Sequence, residues 1–164
     1  MSITPEVPHI IVPEQDSTLV LIDMQPDGFI YSRWMVKPVL QLIDAAISQN
    51  HGICLVQYVC ECAGTIAEEI TRRLEGYPRK TLAKKTREDG SAEVIEACLD
   101  AGLTTADFQV AGVTTDDCVV RTVRGLSEKL PDSRIAVIKN CCECWQGKRY
   151  DWSTFAQAAN IFLI

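Results

Sequence analysis

Residues 110–120, VAGVTTDDCVV, read as a strand that runs into a turn and out into a helix. The apolar residues up to Val113 are continuous rather than alternating, as expected of a strand covered on both faces. Thr114 and Thr115 make the turn, and a helix starting near Thr115 or Asp116 puts Cys118 in its first turn. Free backbone N–H groups and the helix dipole stabilise a thiolate at that place. The same amides can bind an oxyanion that forms beside the sulfur. Asp116 and Asp117 oppose the thiolate, so a nearby cation is needed. Against this stands the usual fate of a free cysteine, a small buried apolar residue.

Outward from this segment the same alternation repeats. Apolar runs rich in β-branched residues occupy Thr18–Ile22 and residues 53–59, 108–113, 135–138 and 161–164, with a weaker one at 81–85. Between them, Val36, Val39, Leu40, Ile43, Ala46 and Ile47 recur at helical spacing; so do Ile66, Ile70 and Leu74, then Val94, Ile95, Cys98 and Leu99, and finally Val119, Val123, Leu126 and Leu130. Glycines and Pro131 stand where helix stops belong. Strand and helix in alternation predict βαβ units. The expectation is one domain over residues 1–164, a three-layer α/β/α sandwich around a doubly wound, mainly parallel sheet of about six strands (Rossmann-like). In such sheets ligands bind beyond the carboxyl ends of the strands.

Composition narrows the function classes. The 164 residues are 47% hydrophobic and 23% charged, with 16 basic and 22 acidic side chains and a net charge of −6. That balance argues against a grip on nucleic acid, whose phosphates need clustered cations. No apolar run is long enough for a membrane-spanning helix. The first residues carry no Lys or Arg, unlike a secretory signal, so the expectation is a cytoplasmic protein with reduced thiols. Eight cysteines fall short of a disulfide scaffold.

Chemistry is expected at the strand ends. Asp23 closes the first run in LVLIDMQPDGF, where partial burial raises a carboxylate toward a useful base. The alternative is a polar residue that merely ends a strand. Lys84 and Lys85 close the third strand, and because side chains alternate only one of them can face the site.

These three segments, in this order, are similar to the signature of the isochorismatase-like cysteine hydrolases, a family that includes nicotinamidases and other small amidases. The resemblance spans roughly residues 18–140 and implies the three-layer fold. It also implies a catalytic triad of Asp23, Cys118 and one lysine: Lys85 is preferred because Gly90 follows at a suitable distance, and Lys84 is the alternative. By the same match the peptide between Val113 and Thr114 is cis, and the N–H groups of Thr114 and Cys118 form the oxyanion hole. The implied activity is hydrolysis of a C–N bond in a small amide through an acyl-cysteine, since isochorismatases themselves lack the nucleophilic cysteine. A sub-stoichiometric alkylating agent is then expected to label Cys118 before the other seven thiols. A small-molecule substrate, no cofactor and a homo-oligomer (dimer or tetramer) complete the expectation.

The chain departs from nicotinamidases after the second strand, where VQYVCECAGTIAEE contains no histidine. Imidazole is the usual ligand for a catalytic zinc or iron, so no metal is expected. Phe29, Tyr31 and Trp34 are candidates for the wall of the substrate pocket. Cys60, Cys62 and the run Cys141, Cys142, Cys144 offer a weaker possibility of a structural zinc, with ordinary thiols as the default. Cys54 and Cys98 lie on apolar stripes and read as core. Two other functions compete: a catalytically silent binding or scaffold protein of the same fold, and a thiol or metal sensor built on the Cys141–Cys144 cluster.

Overall fold

A computed structural model describes residues 15–29 and 33–164, with Gln146 through its backbone alone. His9 and Tyr31 lie outside the described residues. Six strands form one sheet: β1 (Thr18–Ile22), β2 (Gly52–Tyr58), β3 (Lys80–Lys85), β4 (Asp107–Val113), β5 (Arg134–Glu143) and β6 (Ile161–Leu163). Their order is β3-β2-β1-β4-β5-β6, and every neighbouring pair is parallel. The helices α1 (Val36–Ser48), α2 (Glu68–Arg73), α3 (Ser91–Asp100) and α4 (Val120–Lys129) supply the crossovers.

The continuous apolar runs follow from the two covered faces. Along β1, Leu19 and Leu21 pack with Val39, Leu42, Ile43 and Ile70 from α1 and α2. Val20 and Ile22 point the other way, into a second core with Val94, Cys98, Val123 and Leu126 from α3 and α4. Burying each such Leu, Ile or Val is worth roughly 1.5–3 kcal/mol, so a strand used on both faces cannot alternate with polar residues.

One expectation needs correction. The fifth strand is longer than 135–138, because its pairing with β4 slips and then resumes: Val110 faces Val137, but Gly112 faces Cys142 and Val113 faces Glu143. Cys141 and Cys142 therefore lie within β5 rather than after it. The cysteines after β2 are separated from β5 by β1 and β4, and among the described residues no group of three or more His, Cys, Asp or Glu is placed to hold a metal ion.

The strand order reverses between β1 and β4, since the chain fills β2 and β3 on one side and β5 and β6 on the other. A crevice opens beyond the carboxyl ends at such a switch point. Asp23 follows β1, and the Thr114–Cys118 segment follows β4.

Candidate active site

Asp23 leaves β1 with φ of 51°, a left-handed conformation that few residues other than glycine adopt. The turn is fixed on both sides. Its N–H donates to Val56 O at 3.0 Å, and the Gln25 N–H donates to Asp23 O at 2.7 Å. The Asp23 side chain is fully buried, and Oδ2 lies 2.8 Å from Nζ of an equally buried Lys85. Two buried charges are costly to take out of water, and their mutual attraction offsets that cost only in part unless further hydrogen bonds are made. Lys85 Nζ also donates to Glu88 O at 3.0 Å and sits 5.0 Å from the ring centroid of Tyr58. Neither Asp23 oxygen accepts a well-aligned hydrogen bond from a described residue.

The lysine pair at the end of β3 divides as strand alternation requires: Lys84 is exposed and Lys85 is buried. Gly90 keeps the space for the Lys85 stem, because a Cβ there would meet Lys85 Cδ at 2.8 Å. The loop after β3 is tied to α4, with the Gly90 N–H donating to Thr122 Oγ1 at 3.0 Å.

Cys118 reaches the same place from β4. The Val113–Thr114 peptide bond is cis, and a π-type turn over Thr115–Val119 leads into α4. Within it the N–H groups of Asp117 and Val119 turn back on Thr114 O at 3.2 and 3.0 Å. Gly112 lets β4 lie against β1 at this point: its φ is +128°, and an added Cβ would fall 2.2 Å from Ile22 O. The Cys118 thiol is buried and interacts with both Asp23 and Lys85. Burial, with the Asp23 charge second, pushes its pKa up to about 12, against the pull of Lys85. Burial likewise raises the Asp23 carboxyl, and Lys85 offsets part of that rise. Asp23, Lys85 and Cys118 thus meet in one buried cluster, with burial raising both the thiol and the carboxyl and Lys85 opposing each rise.

Of the aromatic candidates, Phe29 is half-buried and meets Tyr58 edge-on at 6.0 Å, one ring removed from Lys85. Trp34 is 56% exposed in the turn Arg33–Met35 ahead of α1, and no interaction ties it to Asp23, Lys85 or Cys118. Sequence reasoning missed Tyr58 and Gln25. Tyr58 is paired in register with Lys85 across β2 and β3. Buried Gln25 donates through Nε2 to the carbonyls of Tyr58, Ala63 and Gly64 at 2.9, 3.1 and 3.0 Å, and its Oε1 accepts from the Tyr58 N–H at 2.7 Å. An amide two residues after Asp23, in a segment otherwise destined for burial, was the available signal. His51 immediately precedes β2, at the opposite end of the sheet, where Nδ1 accepts from the Ser17 N–H at 3.2 Å.

No protein-family model and no curated protein sequence matches the chain. Solved structures do. The pyrazinamidase/nicotinamidase from Streptococcus mutans superposes with a TM-score of 0.65 at 13% identity, covering 79% of this chain and 88% of that one. An isochorismatase from Pseudomonas putida gives 0.62 at 18% identity, over 81% and 75% of the two chains. YcaC from Pseudomonas aeruginosa, in a structure with hexane-2,5-diol and covalent acrylamide, gives 0.64 at 16% identity, over 84% and 69%. At these identities the likeness is one of architecture, and it agrees with the strand order and the two-sided core: the chain has the isochorismatase-like fold.

Proposed function

We propose that the protein is a cysteine-dependent hydrolase that cleaves the C–N bond of a small amide. The observation that carries this reading is the fully buried Lys85–Asp23 pair at 2.8 Å with the Cys118 thiol against it. Burying two charges costs several kcal/mol per ion, and hydrophobic side chains of similar size would serve stability as well or better. A buried pair built around a thiol at a switch-point crevice is accounted for by chemistry.

Asp23 takes the thiol proton as sulfur attacks the carbonyl carbon, and Lys85 holds the developing charges together. The N–H groups of Thr114 and Cys118 receive the oxyanion. The amine departs with the proton from Asp23, leaving an acyl-cysteine. Asp23 then accepts a proton from water as it attacks the thioester, and the acid leaves as the thiol is restored. The residues after β2 do not fit a nicotinamidase-type metal centre, since that stretch lacks histidine and the described residues hold no metal-ligating group of three. No step is routed through a metal. The covalent acrylamide of the Pseudomonas aeruginosa structure is in keeping with a nucleophile on this fold.

Phe29 and Tyr58 wall the approach to Lys85 in this reading. We extend the proposal to a reduced, cytoplasmic setting and to assembly of several copies, supported by edge strand β6, where Phe162 and, just after it, Ile164 are exposed; sedimentation velocity tests the assembly. The activity test is a screen of small amides against wild type and Cys118→Ala. Wild type is expected to release amine or ammonia from at least one compound, with kcat/KM on the order of 10⁴-fold or more above the variant. Equal rates across a broad panel would overturn the reading in favour of a binding protein.

A further inference from the structure

Cys60 and Cys62 take no part in that reaction, yet they differ from the other thiols of the chain. Both are exposed, whereas Cys54, Cys98, Cys118, Cys141, Cys142 and Cys144 are buried. Their sulfur atoms stand 3.4 Å apart, already in contact. A disulfide bond is about 2.0 Å long, so closure needs an approach of about 1.4 Å. The segment between them is an arch with fixed feet. On one side Gln25 holds Tyr58 through both its N–H and its carbonyl; on the other it holds the carbonyls of Ala63 and Gly64. The Ala63 N–H closes the arch on Cys60 O at 3.3 Å. The two thiols are thus kept side by side in water by a backbone that is not itself free to spread. The Cys54–Cys98 pair also touches, but no solvent reaches it.

We propose that Cys60 and Cys62 form a redox-active dithiol, oxidised by a hydroperoxide to an intramolecular disulfide and reopened by a small-molecule thiol. One thiolate attacks the peroxide: the O–O bond breaks, one oxygen becomes a sulfenic acid on sulfur and the other leaves as water. The second thiolate displaces hydroxide from the sulfenic sulfur, forming the S–S bond, and the hydroxide takes up a proton. Two thiols and one hydrogen peroxide give one disulfide and two waters, with two electrons passing from sulfur to oxygen. A disulfide closed over one intervening residue and open to solvent is of the labile kind, and small thiols return it to the dithiol. The proposal stands independently of the hydrolase reading, because Cys118 contributes nothing to it.

The test treats reduced full-length protein with a slight excess of hydrogen peroxide, unfolds it, and blocks the remaining thiols with iodoacetamide. Of the eight cysteines, six are expected to be alkylated, the missing two being Cys60 and Cys62 by fragment mass, with all eight restored by dithiothreitol. Cys60→Ser and Cys62→Ser should each abolish the reversible loss of two sites; both side chains are exposed, so the fold is expected to survive. Alkylation of all eight after peroxide overturns the proposal. So does a link between two chains on a non-reducing gel, sulfinic acid at either position, or loss of Cys118 or another buried thiol before the pair.

Discussion

Two kinds of cysteine stand at the carboxyl end of one sheet, and their surroundings assign them opposite chemistry. Cys118, beyond β4, is enclosed with an ion pair and keeps its proton to about pH 12. Cys60 and Cys62, beyond β2, share a contact in open solvent. Thiolate fraction and access both govern encounters with reagents in solution. Burial and the Asp23 charge raise the Cys118 pKa and keep reagents from the thiol, whereas Cys60 and Cys62 differ from it chiefly in access. Under the proposed reaction the first is activated by its substrate, and the other two meet an oxidant directly.

The sharpest way to break that contrast is to remove the charge that permits the buried site. Lys85→Met leaves the Asp23 carboxylate buried without its cation, and removing one partner of such a pair costs about 3–5 kcal/mol. Chemical denaturation should show this as a lowered midpoint at unchanged slope. Adding Asp23→Asn removes the stranded charge and is expected to recover most of the loss, although amide hydrolysis remains absent. A single variant as stable as wild type would mean that Asp23 is neutral in the fold and that the ion pair does not organise the site.

Gln25 connects the two regions, since it sits two residues beyond Asp23 and bonds both feet of the Cys60–Cys62 arch. Gln25→Ala leaves the part-buried Tyr58 and the buried Ala63 backbone groups without these partners, a loss of about 1–3 kcal/mol. The arch should loosen as well. After peroxide treatment, the share of protein with a disulfide at Cys60–Cys62 is expected to fall, and single-site oxidation of the two cysteines to rise. An unchanged yield would show that the clamp is not what holds the thiols together.

The pH dependence of stability distinguishes the buried thiol again. Unfolded, a cysteine releases its proton near pH 9; folded, Cys118 holds it to about 12. Between those values the folded state binds more protons, so stability falls as pH rises, by up to about 1.4 kcal/mol per pH unit from this group. Cys118→Ala lacks the contribution and should gain on wild type as pH climbs from about 9 to 10.5. Parallel stability curves would place the Cys118 pKa near its ordinary value.

How much of this was legible beforehand depends on whether a feature is carried by pattern or by packing. The central strands and their parallel pairing follow from continuous apolar runs such as Thr18–Ile22, because both faces of β1 are covered, whereas edge strand β3 is half exposed and left only a weak run. Strand alternation established only that one of Lys84 and Lys85 faces the crevice; the preference for Lys85 came from the family resemblance and Gly90, and Lys85 is the one found against Asp23 and Tyr58. The continuation of β5 through Cys141 and Cys142 was hidden, since Lys139 and Asn140 interrupt the apolar run where the register with β4 slips. The role of Gln25 was hidden for another reason: it bonds backbone atoms of Tyr58, Ala63 and Gly64, and backbone atoms leave no mark in a sequence.

The smallest expected effect sets the structure against an expectation that the implied activity carried. If Cys118 is the nucleophile, the sequence reading has it labelled first, but burial and the Asp23 charge raise its pKa, whereas Cys60 and Cys62 meet reagent directly. Titration of the native protein with an aromatic disulfide reagent should therefore release about two equivalents of coloured thiol quickly, and the rest only on unfolding, because exchange requires both thiolate and access. The fast phase should persist in Cys118→Ala and vanish when Cys60 and Cys62 are both serine. If it instead followed Cys118, the thiolate would already exist at rest, and Asp23 would have no proton left to take.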